Sequence, residues 1–351
     1  MLCATPCACS FPRRWRWSAL LVKGLCASGS KGPRAGRRSR IGPLVARLLD
    51  RALLLVLPAL PRPLVRRVAE RYIAGEELAD ACRVARRLNQ EGMLATIDVL
   101  GEETRTVEEA RAVATSYREV LQAIHRERLQ ANVSVKLTAL GLHVDLDLCR
   151  QGLRTVVDTA RTLANFVRID MEDSRCTDPT LRLYRELRQE GFDNVGIVLQ
   201  AALRRTLDDV RALADLRPNV RLCKGAYVEP AEIAFQDDEE VRRSFVAAHA
   251  ALLDAGSYVA LATHDERLIG EGLRLVRERG LARDEYELQF LLGVRPHRAR
   301  ELVGQGHRLR VYIPFGQRWY EYSLRRMHEN PKLAGEVALD TLRRIVLRGR
   351  A

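Results

Sequence analysis

The chain has 351 residues, enough for one large domain or two of ordinary size. Its net charge of +13 is concentrated at one end, because residues 1 to 49 hold ten of the 58 Lys and Arg and none of the 45 Asp and Glu. The rest of the chain carries a net charge of only about +3, which is too small for a nucleic-acid-binding surface.

Residues 1 to 42 form a basic tail that is predicted to lie outside the folded domain. Its apolar run at residues 18–22 is shorter than the core of a signal peptide, which spans about 7–15 residues. The apolar segment 52–60 contains Pro58 and is far shorter than the roughly 20 residues of a membrane span. We therefore expect no transmembrane helix. The tail is expected either to be disordered or to result from a start codon chosen too far upstream.

The cysteines of the body are scattered singly and fit a reducing cytosol. They are Cys82, Cys149, Cys176 and Cys223, with no CxxC pair and no Cys/His spacing typical of zinc, so no metal site is predicted. Cys223 precedes Lys224 and could be a reactive thiol, but a buried strand cysteine is the favoured interpretation.

Residues 43 to 91 show helical periodicity interrupted by prolines. Leucines recur every three or four residues between Leu44 and Leu53, and further helices are predicted over Leu64–Ala74 and Glu77–Gln90. Such helices could lie on a membrane surface, but packing against the core of the protein is the favoured alternative.

After Gly92 the pattern alternates regularly between strand and helix. Eight strands are predicted, at Leu94–Leu100, Val133–Thr138, Phe166–Met171, Val195–Leu199, Val220–Cys223, Val259–Ala262, Tyr286–Leu291 and Arg310–Ile313. Helical runs separate them, at Val107–Arg128, Cys149–Ala164, Pro179–Glu190, Leu203–Ala212, Glu239–Asp254, Glu266–Arg279 and Arg298–Gly304. Eight such units over residues 92 to 351 predict an α/β fold, a (β/α)₈ TIM-like barrel. An open doubly wound sheet is the alternative, but no glycine-rich phosphate loop follows the first strand.

Polar or charged residues lie near the C-terminal end of every predicted strand, where barrel enzymes carry their active sites. They are Asp98 and Glu102, Lys136, Asp170 and Glu172, Gln200, Arg221 and Lys224, Thr263 and His264, Gln289, and Tyr312. Any one of them could be a satisfied structural group, but the complete set indicates a site.

The predicted third strand places Arg168, Asp170 and Glu172 on one face by its period of two. Two neighbouring carboxylates are typical of glycosidase-type acid–base chemistry. The nearby positive charge of Arg168, and of Lys136 and Arg221 from other strands, instead favours the binding of a zwitterionic or anionic ligand.

The last predicted helix carries Tyr322, Arg325, Arg326 and Glu329 at i, i+3, i+4 and i+7, which places them on one stripe. Two adjacent arginines beside a tyrosine suit a small carboxylate, which guanidinium groups bind bidentately. The alternative is a solvated face with an Arg325–Glu329 ion pair.

Several segments, in chain order, resemble the motifs of the proline dehydrogenase family. They are IDVLGE, VSVKLTALG, VRIDMED, GIVLQAALRR, VRLCKGAYVEP, LATHDE, YELQFLLG and VYIPFG followed by YEYSLRRMHE. The resemblance covers about residues 66 to 346 and is strongest to the monofunctional bacterial enzymes. Val228 stands where the bifunctional members usually have Trp, which agrees with that assignment.

The resemblance implies a distorted (β/α)₈ barrel with FAD at the C-terminal ends of the strands and a final helix over the barrel mouth. It implies oxidation of L-proline to Δ1-pyrroline-5-carboxylate, with hydride passing to flavin N5 and electrons passing on to a membrane quinone. We also expect a cytoplasmic protein with peripheral contact at the inner face of the membrane, and the near-neutral body predicts no nucleic-acid partner.

The family motifs imply two sets of site residues. The substrate site would consist of Lys136, Asp170, Tyr312, Tyr322, Arg325 and Arg326. The FAD site would consist of Gln200, Arg221, Lys224, Gly225, Ala226, Thr263, His264, Gln289 and Glu329, with Tyr227 and Leu291 as wall residues. Arg325 and Arg326 would hold the carboxylate of proline, and Arg221 would lie near flavin N5. Glu102 would pair with Arg325 and act as a gate.

Two other functions stay open on the residues alone. One is a barrel hydrolase that uses Asp170 and Glu172 as its acid–base pair. The other is a non-catalytic or nucleic-acid-associated protein that uses its basic tail. The sequence assigns no base for the substrate amine and no oligomeric state.

Overall fold

A closed barrel of eight parallel strands organises the molecule. The computed structural model describes residue 66 and residues 71–101, 103–320 and 322–323. The strands pair in chain order and β8 pairs with β1. They are β1 Leu94–Val99, β2 Ala131–Val135, β3 Val167–Ile169, β4 Val195–Gln200, β5 Asn219–Cys223, β6 Tyr258–Ala262, β7 Tyr286–Leu291 and β8 Leu309–Phe315. The predicted TIM-like barrel is confirmed, and the open doubly wound sheet is excluded.

The α-helices whose full length the structure describes alternate with the strands, one before β1 and one after each of β1 to β7. They are α1 Leu78–Gln90, α2 Val107–Arg126, α3 Leu146–Thr162, α4 Thr177–Gln189, α5 Thr206–Leu213, α6 Asp238–Asp254, α7 Glu266–Glu278 and α8 Pro296–Gly304. Parallel neighbours require such crossover connections, because each strand must return to the same end of the sheet before the next begins.

Side-chain caps fix where several helices begin. Thr106, Asp145, Asp237 and Asp265 each accept a hydrogen bond from a backbone N–H two or three residues further on. These caps satisfy donors that have no partner inside the helix. The predicted helix begins at Cys149, the first buried residue of α3, whereas the cap at Asp145 makes the helix begin three residues earlier.

The second predicted helix, Leu64–Ala74, ends earlier than expected. Arg66 is helical, but residues 71–72 form a turn and residues 73–75 have irregular backbone. There the Ala74 N–H donates to the Pro314 carbonyl at 2.9 Å, and the Gly316 N–H donates to the Gly75 carbonyl at 3.0 Å. This segment therefore lies against the C-terminal end of β8. The helix predicted over residues 44–53 lies outside the described residues.

The interior of the barrel is polar, in contrast to the branched apolar layers that fill most barrels of this type. Apolar strand residues such as Val133, Ile169 and Leu222 face outward and pack under the helices. The inward-facing side chains include Thr96, Asp98, Asn132, Ser134, Lys136, Arg168, Asp170, Arg221, Glu287, Gln289 and Arg310, all of them buried. Buried charge of this density requires pairing, since an unpaired ion is costly to desolvate.

Within the part of the chain that the structure describes, no helix combines the length and the apolar character needed to cross a membrane.

Candidate active site

Three predicted site residues from different strands meet near the C-terminal end of the barrel. Nζ of Lys136 donates to the hydroxyl of Tyr312 at 3.2 Å and lies 3.5 Å from Oδ2 of Asp170. The hydroxyl of Tyr312 donates to the same carboxylate oxygen at 2.8 Å. Burial, followed by the charges of Asp170 and Asp98, raises the pKa of Tyr312 well above its usual value. Tyr312 is therefore a neutral hydrogen-bond donor.

Asp98 is a central member of this cluster, although its position in the sequence predicts only a polar residue near a strand end. Its two carboxylate oxygens lie 2.9 and 3.0 Å from Nζ of Lys136, and it is fully buried. The hydroxyl of Tyr117 on α2 donates to it at 3.4 Å. The available signal was the period-two alternation of β1, which turns Asp98 inward together with Thr96.

Asp170 is held in its ionised form. Burial alone would raise its pKa, but Arg221 and Lys136, helped by hydrogen bonds from Ser134 and Tyr312, hold the pKa below its usual value. Nη1 of Arg221 donates to Oδ1 at 2.6 Å and the hydroxyl of Ser134 donates to the same oxygen at 2.7 Å. An ionised Asp170 is unsuited to be the protonated acid of the hydrolase alternative.

Arg221 links this cluster to the neighbouring strands. Its Nε donates to Oε1 of Gln289 at 2.6 Å, and its guanidinium carbon lies 5.1 Å from the centre of the Tyr312 ring. Nη2 is buried and has no acceptor among the described residues. A buried guanidinium with an unused donor can bind an electron-rich group that enters the barrel mouth.

Gln200 and Gly225 shape the adjacent wall. The amide nitrogen of Gln200 donates to the carbonyl of Glu172 at 2.7 Å, which fixes its side chain. Gly225 has φ +112°, and a Cβ there would lie 3.2 Å from Oε1 of Gln200 and from Cβ of Ala202. The backbone conformation and the close approach both favour glycine at this position.

Lys224, Thr263 and His264 lie along the β5 and β6 ends. Nζ of Lys224 donates to Oδ2 of Asp265 at 2.8 Å, and the Asp265 N–H donates to the hydroxyl of Thr263 at 3.2 Å. Nε2 of His264 accepts from the Leu291 N–H at 3.1 Å. Asp265, which the sequence analysis did not assign to a site, accepts at 2.8 Å from Nε of Arg242 as well.

The charges around Asp265 explain its ionisation. Burial would raise the pKa of this carboxyl, but hydrogen bonds and charge from Lys224 and Arg242 lower the pKa far below its usual range.

The loop that follows Gly225 is open to solvent, with Ala226 and Tyr227 exposed and Val228 fully exposed.

The last predicted helix is described only in part. Tyr322 is buried against Ile73 and Leu100, with Trp319 packed beside them. Four predicted site residues, Glu102, Arg325, Arg326 and Glu329, lie outside the described residues.

Arg168 faces the barrel interior as predicted, yet its guanidinium does not join Asp170. Nη1 donates to the Ile197 carbonyl at 2.9 Å and to the Asn219 carbonyl at 2.6 Å, at the N-terminal ends of the strands. A Cβ at Gly196 would overlap with this guanidinium, so glycine leaves the space for it. Arg168 is therefore excluded from the site at the C-terminal ends.

Cys223 is unsuited to be a reactive thiol. Its Sγ donates to the Leu199 carbonyl at 3.6 Å, and burial raises its pKa to about 11. The thiolate that a nucleophile needs is scarce at neutral pH.

Comparisons with known proteins agree with one another. Residues 81–338 match the family described as proline dehydrogenase. Proline dehydrogenase 1 of Bacillus subtilis (strain 168) is 39% identical over 276 residues, which cover 79% of this chain and 91% of that protein. The proline dehydrogenase of Deinococcus radiodurans is 36% identical over 280 residues, covering 79% and 90%.

A solved structure shares the fold. Proline utilization A (PutA) from Bdellovibrio bacteriovorus, inactivated by N-propargylglycine, superposes with a TM-score of 0.73 at 24% identity. The match covers 81% of this chain but only 36% of that protein, so the chain spans about a third of its length.

Proposed function

The chain belongs to the proline dehydrogenase family, an oxidoreductase family of proline catabolism, and from this we propose how its residues act on L-proline. The proposed reaction converts L-proline to Δ1-pyrroline-5-carboxylate at the C-terminal mouth of the barrel. Bound FAD would supply the hydride acceptor at flavin N5, with a membrane quinone receiving the electrons afterwards.

The buried cluster of mixed charge is the observation that carries the proposal. Lys136 and Arg221 supply positive charge, Asp170 supplies a fixed negative charge, and Tyr312 supplies a neutral donor. Arg221 and Tyr312 both donate to Asp170, and Lys136 donates to Tyr312. A zwitterion such as proline carries both charges and can match such a cluster without leaving an ion unpaired. Orientation of the substrate matters more for hydride transfer than an acid–base pair does.

The remaining substrate-binding residues come from the last helix. We propose that Arg325 and Arg326 bind the carboxylate of proline bidentately and that Tyr322 forms part of the wall. Glu102 would pair with Arg325 when the site is empty and release it to the carboxylate on binding. The last helix would thereby close the site.

The residues proposed for FAD fit an extended, electron-rich cofactor. These are Gln200, Arg221, Lys224, Gly225, Ala226, Thr263, His264, Gln289 and Glu329. Nη2 of Arg221 is buried and has no acceptor among the described residues, which supports contact with an acceptor atom of the flavin ring. Positive charge at that place would favour the reduced flavin. Gly225 supports a close backbone approach, since a side chain there would intrude on Gln200.

Contact with a membrane quinone would place the protein at a membrane surface. We propose peripheral contact at the inner face of the membrane from a cytoplasmic protein.

Replacement of the clamp arginines tests the substrate site. Arg325→Met and Arg326→Met should each raise KM for proline by about ten- to a hundredfold, the loss expected for a charge-assisted hydrogen bond. The flavin content should not change. Arg211→Met, an exposed arginine on α5, is the matched control and should leave KM unchanged. Loss of FAD from both clamp variants would contradict the assignment.

Flavin content and substrate choice test the reaction itself. The purified protein should be yellow with flavin absorbance, and it should reduce a dye acceptor in the presence of proline. A colourless protein that is indifferent to added FAD would contradict the proposal.

A further inference from the structure

A second cavity opens at the N-terminal ends of the strands, opposite the candidate active site. Its volume is about 570 Å³, and residues at the beginning of β2, β3, β5, β7 and β8 line it. Cavities of roughly 300–1,000 Å³ are typical of sites for small molecules. Nothing in the proposed oxidation of proline uses this end of the barrel.

The cavity is rich in positive charge. Four arginines, Arg161, Arg168, Arg308 and Arg310, line it together with one carboxylate, that of Glu287. Nε of Arg310 lies 2.9 Å from Glu287, and Nε of Arg308 lies 3.6 Å from it. Arg161 pairs with Asp158 on its own helix, and the single carboxylate of Glu287 cannot neutralise the other three guanidinium groups.

Arg168 adds a charge that no carboxylate contacts by a hydrogen bond among the described residues. Its hydrogen-bond acceptors are the carbonyls of Ile197 and Asn219 and the side-chain oxygen of Asn219, which are all neutral. Its Nε is buried without an acceptor among the described residues. The side chain is only 2% exposed, so water screens its charge poorly.

Two further side chains present unused donors to the cavity. Arg310 is 8% exposed and donates through Nε to Glu287 and through Nη1 to the Ala95 carbonyl. Asn132 is also 8% exposed, and its side-chain oxygen accepts from Thr96 at 2.5 Å. Among the described residues, none accepts from Nη2 of Arg310 or Nδ2 of Asn132, and neither atom is sealed from solvent.

We propose that this cavity is a second ligand site, which binds a small oxyanion through the guanidinium groups of Arg308 and Arg310 and the amide of Asn132. Guanidinium groups bind the oxygens of phosphate and of carboxylates with the same geometry. The anion supplies the negative charge that the cavity lacks and accepts hydrogen bonds from donors that the protein leaves unused.

Binding of inorganic phosphate and of malonate by the FAD-loaded protein tests the proposal, with chloride at matched ionic strength as the reference. Isothermal titration calorimetry should show saturable binding, and the thermal midpoint should rise with ligand concentration. Arg308→Gln should weaken the affinity by about tenfold or more, as expected for one charge-assisted hydrogen bond. Arg308 is exposed, so the variant should fold.

Arg211→Gln removes the same charge on α5, away from the cavity, and should bind the anion like the parent protein. Saturation by phosphate alone, or by malonate alone, supports the site and identifies which oxyanion it takes. Equal affinities in the parent, Arg308→Gln and Arg211→Gln would overturn the proposal, because binding would then be elsewhere. Absence of saturable binding for both anions would overturn it too.

Discussion

Lys136 is oriented by its own protein before a ligand arrives. Its ammonium group lies 2.9 and 3.0 Å from the two oxygens of Asp98, 3.2 Å from the hydroxyl of Tyr312 and 3.5 Å from Asp170. Two carboxylates and a phenol fix a flexible side chain that would otherwise sample many rotamers. The positive charge of Lys136 is therefore held at one point at the base of the site.

Removal of Asp98 should be costly at this residue. Asp98→Ala leaves Lys136 buried with one weaker ion pair, and breaking one side of a buried pair costs about 3–5 kcal/mol. We expect the free energy of unfolding to fall by about that amount, measured by urea denaturation.

Tyr117→Phe is the matched control, since it removes the hydroxyl that donates to Oδ1 of Asp98 at 3.4 Å and leaves the Asp98–Lys136 ion pair in place. We expect that variant to lose about 1 kcal/mol, the usual net value of one hydrogen bond. Equal losses in the two variants would show that Asp98 does not act through Lys136.

The connection from β5 to α6 is the element that shapes the cofactor side of the site. It begins with Lys224, whose ammonium group is paired with Asp265 at the start of α7. The next residue, Gly225, has φ +112° and lies beside the fixed amide of Gln200. The backbone therefore lies close to the barrel mouth, where a side chain would occupy the space.

Gly225→Ala should reduce FAD binding while the barrel stays folded. The new methyl group would lie 3.2 Å from Oε1 of Gln200, and the backbone would be strained, at a cost of about 1 kcal/mol. Flavin content of the purified protein and its far-UV circular dichroism measure the two effects.

Gly191→Ala is the control for backbone strain alone. Gly191 also has a positive φ, of +84°, but a Cβ there has no atom within 4 Å. This variant should lose a similar amount of stability and keep its full flavin content. Full flavin content in Gly225→Ala would show that the loop does not contact the cofactor.

At the scale of the whole molecule, a polar network runs along the axis of the barrel. Asp170 binds Arg221, Arg221 donates to Gln289, Gln289 donates to Glu287, and Glu287 pairs with Arg310. The network joins the candidate active site to the charged cavity at the opposite end. Its partners come from four strands, so it forms only when the barrel closes.

Deletion of residues 1 to 40 should leave the activity with proline intact. β1 and β8 close the barrel by pairing over the six residues from Leu94 to Val99, and neither strand lies in the deleted segment. The described side chains of the site also come from within residues 98 to 322. Steady-state kinetics and thermal unfolding of the truncated protein measure the outcome. Loss of folding would show that the basic tail is part of the structure.

The sequence by itself determined the fold and the identity of most candidate site residues. Apolar residues recur with different periods in strands and in helices, so the alternation of the two patterns predicted eight strand–helix units. The order of the motifs along the chain indicated the family. Polar residues at strand ends such as Lys136, Asp170 and Tyr312 could be assigned to one end of a barrel because parallel strands all point the same way.

Only the tertiary structure decided which of these groups bind one another. Arg168 and Asp170 share a face of β3, yet they have different partners. The guanidinium of Arg168 donates to Asn219 at the N-terminal end of the barrel. The carboxylate of Asp170 contacts Arg221 and Lys136 at the C-terminal end. The period of a strand fixes the face of a side chain, but the partners of a long side chain depend on residues 34 to 51 positions away. Strand register brings those partners together, and no local pattern in the sequence encodes it.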